Sequence, residues 1–162
     1  MMYHSIGCEF PDWFELKALT GNRQFVDVNM TNDETWKVIY FYPKDFTFVC
    51  PTEIVDFDNQ MSEFCRLGAT VYGVSPDNEY CKLAWRDSHP LLKDLNHTLV
   101  ADSSGRLASE LGILSSEGVP YRVTYIIDPT NTIQYVGMHG LSVGRNASEV
   151  VRVLDACQRG EE

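Results

Sequence analysis

Cys50 stands where an apolar, aromatic and β-branched run, Trp36 to Tyr42, gives way through Pro43-Lys-Asp-Phe-Thr47-Phe-Val to a helical pattern. In that pattern Ile54, Phe57, Met61 and Phe64 recur at steps of three and four. A cysteine on the first turn of a helix meets unpaired amides and the positive end of the helix dipole. Both favour the thiolate, which is the nucleophilic form. Thr47 can place a hydroxyl beside that sulfur, donating to the thiolate or holding an incoming oxygen. Pro43 fixes the connecting loop and removes a competing donor. Much later, Arg122 opens an otherwise apolar strand, Arg-Val-Thr-Tyr-Ile-Ile. As the leading residue of a central strand it projects at one edge of the core, where it can meet Cys50. A guanidinium there lowers the thiol pKa and steadies negative charge leaving on an oxygen. Glu53, one turn along the helix, can orient that arginine through a charge-assisted pair. Each residue also has a bland reading: Cys50 as packing, Thr47 as a helix cap, Arg122 as a structural ion pair, Glu53 as a first-turn acid. Their combination favours chemistry.

The elements that must position these residues follow in order. Trp13, Leu16 and Leu19 alternate before the turn Thr20-Gly21-Asn22, and Gln24 to Val28 returns, which predicts an N-terminal hairpin. Strand 38–42 is stopped by Pro43. Helix 50–66 is closed by Gly68. Strand 70–74, helix 78–87, strand 99–101 and a short helix 106–111 ended by Gly112 come next. Strands 122–127 and 133–138 flank the turn Asp128-Pro129-Thr130-Asn131. Asn146 to Glu149 caps a last helix with Val150, Leu154 and Cys157 on one face. Alternation first and a hairpin later predict a central mixed β-sheet flanked by helices, a thioredoxin-like α/β fold with a β-hairpin extension, in one domain spanning 1–162.

Composition narrows the partners. The chain has 162 residues, 44% of them hydrophobic and 12% aromatic, enough for a real core. A net charge of -10 with no basic run disfavours nucleic acid and anionic membranes. No apolar run is long enough to cross a bilayer, and the first residues lack a signal pattern. Five cysteines, Cys8, Cys50, Cys65, Cys81 and Cys157, show neither metal-ligand nor CxxC spacing. That argues against a zinc site and against a disulfide-stapled secreted fold, so a cytoplasmic setting with reduced thiols is expected.

Pro43-xxx-Thr47-xx-Cys50 matches the active-site motif of the peroxiredoxins, and Phe41-Tyr-Pro-Lys-Asp-Phe-Thr-Phe-Val-Cys-Pro-Thr-Glu53 resembles their alkyl hydroperoxide reductase C branch. Gly73-Val-Ser-x-Asp77, Ala84-Trp85, Arg122 to Pro129 and Val143-Gly-Arg145-Asn continue the likeness in the family's order. The pattern is most similar to the type that takes electrons from an AhpD-like partner; thioredoxin-like and AhpF-like reductants are alternatives. The resemblance implies attack by Cys50 on hydrogen peroxide or an organic hydroperoxide, with peroxynitrite a further candidate, and a sulfenic acid product. Arg122, Thr47 and backbone amides would stabilise the departing oxygen, with no metal or prosthetic group. Arg145 resembles an arginine that the family keeps behind the site, set against the reading of a solvated surface charge. Homodimers, joined into a decameric ring, are also implied.

The sequence departs from that branch in lacking a cysteine after Cys157, where a resolving cysteine is expected. Three readings stay open: a tail outside this sequence, an external thiol, or an internal one. Cys81, in the polar first turn of helix 78–87, is the first internal candidate and sits where the family joins dimers. Cys65 and Cys157 are expected to be buried on their helices, and Cys8 has no evident partner. The Gly-Gly-Leu-Gly insertion of oxidation-sensitive members is absent between His89 and Ala101, which implies a robust type. Two rivals share the fold. A thiol–disulfide oxidoreductase would want a cysteine where Glu53 stands. A redox-sensing chaperone or signalling protein would use Cys50 as a sensor.

Overall fold

The computed structural model describes residues 5–31, 33–46 and 50–160, with Cys50 described by its backbone alone. Its elements are β1 (Leu16–Leu19), β2 (Phe25–Val28), β3 (Trp36–Phe41), α1 (Cys50–Asn59), α2 (Met61–Arg66), β4 (Ala69–Ser75), α3 (Glu79–Ser88), a 3-10 turn (Pro90–Leu92), β5 (Thr98–Ala101), α4 (Arg106–Leu111), β6 (Arg122–Ile127), β7 (Ile133–His139) and α5 (Ala147–Arg159). The strands form one mixed sheet in the order β2-β1-β5-β4-β3-β6-β7. β3 runs parallel to β4 and antiparallel to β6.

β3 is buried along its whole length because both faces of the sheet are covered there. Side chains alternate between the faces. Val38 and Tyr40 join Phe57, Phe64, Trp85 and Leu154 on the side of α1, α2, α3 and α5. Ile39 and Phe41 join Phe10, Leu107, Leu111 and Tyr125 on the side of α4. Gly73 of β4 lies opposite Tyr40. A Cβ there would come within 2.5 Å of the Tyr40 hydroxyl oxygen, so the bulk of tyrosine at 40 requires glycine at 73. Antiparallel register sets Tyr40 against Thr124. Continued by two residues, it brings Arg122 level with Tyr42, at the end of the sheet from which the chain leaves for α1.

The expected hairpin forms, and it joins the main sheet through β1 and β5. Buried Arg86 fastens its turn, donating to the carbonyls of Thr20 (3.0 Å) and Gly21 (3.2 Å) as well as to those of Leu92, Lys93 and Leu95. Five carbonyl partners satisfy a cation that would otherwise be costly to bury.

Two sequence expectations are corrected. Helix 50–66 is two helices. At Gln60 φ is -97° and ψ is 5°, outside the helical region, and its amide bonds Phe57 three residues back, so the ladder is interrupted there. Cys65 is exposed, not buried. Consecutive helical residues lie about 100° apart, so its neighbour Phe64 can fill the core while Cys65 faces solvent. Cys157 is half-buried against the core, and no described helix is long and apolar enough to cross a membrane.

Candidate active site

The site is assembled at the junction of β3, α1, β6 and the segment ahead of α5. Cys50 opens α1, as its position after Pro43 predicts. Pro43 is buried in the bend that follows β3. Thr47 lies outside the described residues.

Glu53 occupies the first turn of α1 and is only 3% exposed. Its Oε1 accepts from Arg122 Nη1. Its Oε2 accepts both the Arg145 backbone amide (2.7 Å) and Arg145 Nε (2.9 Å), and Arg145 Nη2 reaches Oε1 at 3.2 Å. One carboxylate therefore holds two guanidinium groups. Arg122 also donates through Nε to the Leu141 carbonyl at 2.7 Å. Arg145 donates through Nη1 to the Val123 carbonyl at 3.1 Å and lies over the rings of Tyr40 and Phe57. The reading of Arg145 as a solvated surface charge fails: its side chain is 3% exposed.

The electrostatics follow from this packing. Burial pushes the Glu53 pKa up, but Arg145, through charge and hydrogen bonding, and the Arg122 charge outweigh it and hold Glu53 below the usual carboxylate range. An ionised Glu53 keeps both arginines in place. The cluster keeps a net positive charge, two guanidinium groups against one carboxylate, beside the N-terminal turn of α1. A cation beside a helix N-terminus is an arrangement that favours negative charge there.

Sequence reasoning missed a second buried pair that anchors the loop between β3 and α1. Asp45 and Lys82, both fully buried side chains, lie 3.3 Å apart. Lys82 donates to Ser75 Oγ at 2.5 Å, and Ser75 donates to Asp45 Oδ1 at 3.0 Å. The Asp45 amide donates to Asp77 at 2.6 Å. Phe46, at φ 58°, packs its ring 5.8 Å from Trp85. Trp85 thus serves as a core anchor under the loop. The available signal was a lysine on the Trp85 face of a helix: Lys82 and Trp85 are three residues apart. Burial lowers the Lys82 pKa against the pull of Asp45.

Cys81 borders this cluster. Burial first, and then the charges of Asp45 and Asp77, push its thiol pKa up to about 11. That weighs against a ready thiolate at Cys81 near neutral pH. The ligand atoms of Asp45, Asp77 and Cys81 lie within 4.8 Å of one another. Asp45 already carries the Lys82 ammonium, and Asp77 accepts an amide, so the group is satisfied as a hydrogen-bonded cluster.

Residues 6–136 match the model of the AhpC/TSA family. The chain belongs to that family, the peroxide-reducing thiol proteins of thioredoxin-like fold. It is 40% identical over 168 residues to alkyl hydroperoxide reductase C of Mycolicibacterium smegmatis, covering 97% of this chain and 86% of that protein. The corresponding protein of Mycobacterium tuberculosis is 42% identical with the same coverage. Among solved structures, Mycobacterium tuberculosis AhpC superposes with a TM-score of 0.88 at 41% identity, covering 95% of this chain and 98% of the other. A reduced 2-Cys peroxiredoxin of Plasmodium vivax superposes with a TM-score of 0.93 at 32% identity, covering 99% and 84%.

Proposed function

We propose that this protein is a thiol-dependent peroxidase that reduces hydrogen peroxide and organic hydroperoxides at Cys50. The observation that carries the reading is the buried Arg122–Glu53–Arg145 lattice set against the first turn of the helix that Cys50 begins. The Cys50 thiolate attacks one peroxide oxygen in line with the O–O bond. An S–O bond forms, the O–O bond breaks, and the electron pair leaves on the far oxygen, which takes a proton to become water or an alcohol. Cys50 becomes the sulfenic acid. Arg122, positioned by Glu53, stabilises the charge that develops on the departing oxygen, and Thr47 supplies a hydroxyl. A thiol then condenses with the sulfenic acid to give a disulfide and water.

The reductant is a thiol protein. The motif resemblance puts an AhpD-like partner ahead of thioredoxin-like or AhpF-like ones. The assembly is a homo-oligomer, a homodimer extended to a decamer; a Plasmodium yoelii neighbour at 32% identity forms an artifactual octamer when modified at its N-terminus. Free thiols at Cys8, Cys65 and Cys81 support a reducing compartment, the cytoplasm.

Stopped-flow mixing with peroxide tests the reading. Rapid loss of one thiol, absent in Cys50→Ser, supports it. Disulfide reduction without peroxide consumption would favour an oxidoreductase instead.

A further inference from the structure

A groove of about 380 Å³ runs beside the helix that Cys50 begins. One wall is the outer stripe of α1 from Thr52 to Asn59, Leu91 of the 3-10 turn also lines it, and Glu53 and Arg145, whose side chains are buried, close it from below. At 1.5 Å of rise per residue that stripe extends about 10 Å. It starts two residues after Cys50, so one end of the groove lies within a helical turn of the residue that carries the sulfur.

The lining says what the groove can hold. Its charges balance locally, Glu53 and Asp56 against Arg122 and Arg145. Both Glu53 oxygens accept from arginines, and Arg145 spends its donors on Glu53, the Val123 carbonyl and Thr124 Oγ1. A small acidic thiol therefore finds the cations here already engaged. Asp56 gives Oδ2 to the Ala147 amide at 2.8 Å and can accept a donor through its other oxygen. What remains for a ligand is apolar, Val55 and Leu91, the latter 56% exposed. An apolar side chain entering between them gains burial without displacing an ion pair. Over a longer range the chain carries a net charge of -10, which attracts a partner of opposite sign and keeps a second copy of itself away.

We propose that this groove seats the thiol-bearing segment of a dithiol protein reductant, with an apolar side chain against Val55 and Leu91 and a docking surface that is basic overall, an assignment that rests on peroxidase chemistry at Cys50. One thiol of the partner attacks the sulfur of the Cys50 sulfenic acid. An S–S bond forms, the S–O bond breaks, and the hydroxyl leaves with the thiol proton as water. The partner's second thiol then loses its proton to solvent and attacks the partner sulfur of the mixed disulfide. The partner leaves oxidised, as a disulfide, and Cys50 returns as the thiolate.

The experiment compares the full-length wild type with Leu91→Glu and Leu91→Ala, each checked by thermal melting. Peroxide-oxidised protein is reduced by dithiothreitol and, separately, by an AhpD-like and a thioredoxin-like dithiol protein. Leu91→Glu is expected to lower kcat/KM for the better protein reductant about tenfold or more through a raised KM, while Cys50 oxidation by peroxide and reduction by dithiothreitol stay within about twofold of wild type. Should Leu91→Glu not fold, Leu91→Ala decides, with a loss of about threefold expected for the protein reductant alone. An unchanged protein-reductant rate, an equal loss with dithiothreitol, or reduction of wild type by dithiothreitol but by neither protein overturns the proposal. So does a change in sedimentation of Leu91→Glu, which would mean that another copy of this chain covers the groove. If wild type does not react with peroxide, the comparison is made on Cys50 carried as a mixed disulfide with thionitrobenzoate, located by peptide mass spectrometry. Slower cleavage by the protein reductant in Leu91→Glu then keeps the groove and removes the peroxidase, and equal cleavage removes both.

Discussion

Glu53 is the residue whose chemistry everything near Cys50 shares. Replacing it with Gln keeps the shape but leaves two buried guanidinium groups without a counter-charge, a loss of about 3–5 kcal/mol of the kind that follows removal of one partner from a buried pair. Urea unfolding of Glu53→Gln checks this. The pH dependence has a definite sign. The folded-state pKa of Glu53 is depressed, so on acidification the unfolded chain takes up the proton first. The stability that Glu53 confers is full above the ordinary carboxylate value, about 4.3, and is lost as pH falls through the depressed folded value. The acid limb of a wild-type stability curve should therefore be steeper than that of Glu53→Gln. Thiols differ at the same scale. Exposed Cys65 is expected to be alkylated by iodoacetamide well before Cys81, whose thiol is pushed up to about 11; peptide mass spectrometry at pH 7.5 or so gives the order. Faster labelling of Cys81 would restore it as a resolving thiol.

At the level of elements, the loop from β3 to α1 is held from below by α3. Asp45→Ala strands the Lys82 ammonium in the core and should cost about 3–5 kcal/mol, whereas Asp45→Leu combined with Lys82→Met should recover much of that loss. Thermal melts of the single and double variants separate the two outcomes. This anchor also shows what could be read in advance and what could not. Cys50, Pro43, Thr47 and Glu53 lie within eleven residues, so their relation is local and legible in the order of residue types. The strands were legible because β3 and β6 are apolar runs bounded by Pro43 and Asp128-Pro129. The burial of Arg145 was not, since it depends on the segment after β7 folding back onto α1, across 92 positions of sequence. The exposure of Cys65 was hidden for a different reason. Cys65 was placed with its neighbour Phe64, yet in a helix the two point about 100° apart, and Phe64 takes the core. Tyr40 read as one more apolar strand residue, and only the parallel pairing with Gly73 and the approach of His97 show why a hydroxyl is tolerated there.

Over the whole molecule, the sheet places the two arginines and the start of α1 at one end, so the charges gathered there come from segments that meet only in the folded state. The net charge of -10 makes association through the acidic surface sensitive to salt, and screening should favour it. Sedimentation at moderate ionic strength is expected to find a homo-oligomer built from dimers; a monomer at micromolar concentration would remove the assembly from the account. Arg122, held by Glu53, is assigned the stabilisation of the charge that forms as the peroxide bond breaks at Cys50. Its most direct measurement is the second-order rate of Cys50 oxidation by hydrogen peroxide in Arg122→Gln, with folding verified by thermal melting. A fall of about a hundredfold or more is expected, the scale of losing one preorganised donor to a developing oxyanion. An unchanged rate in a folded variant would contradict it.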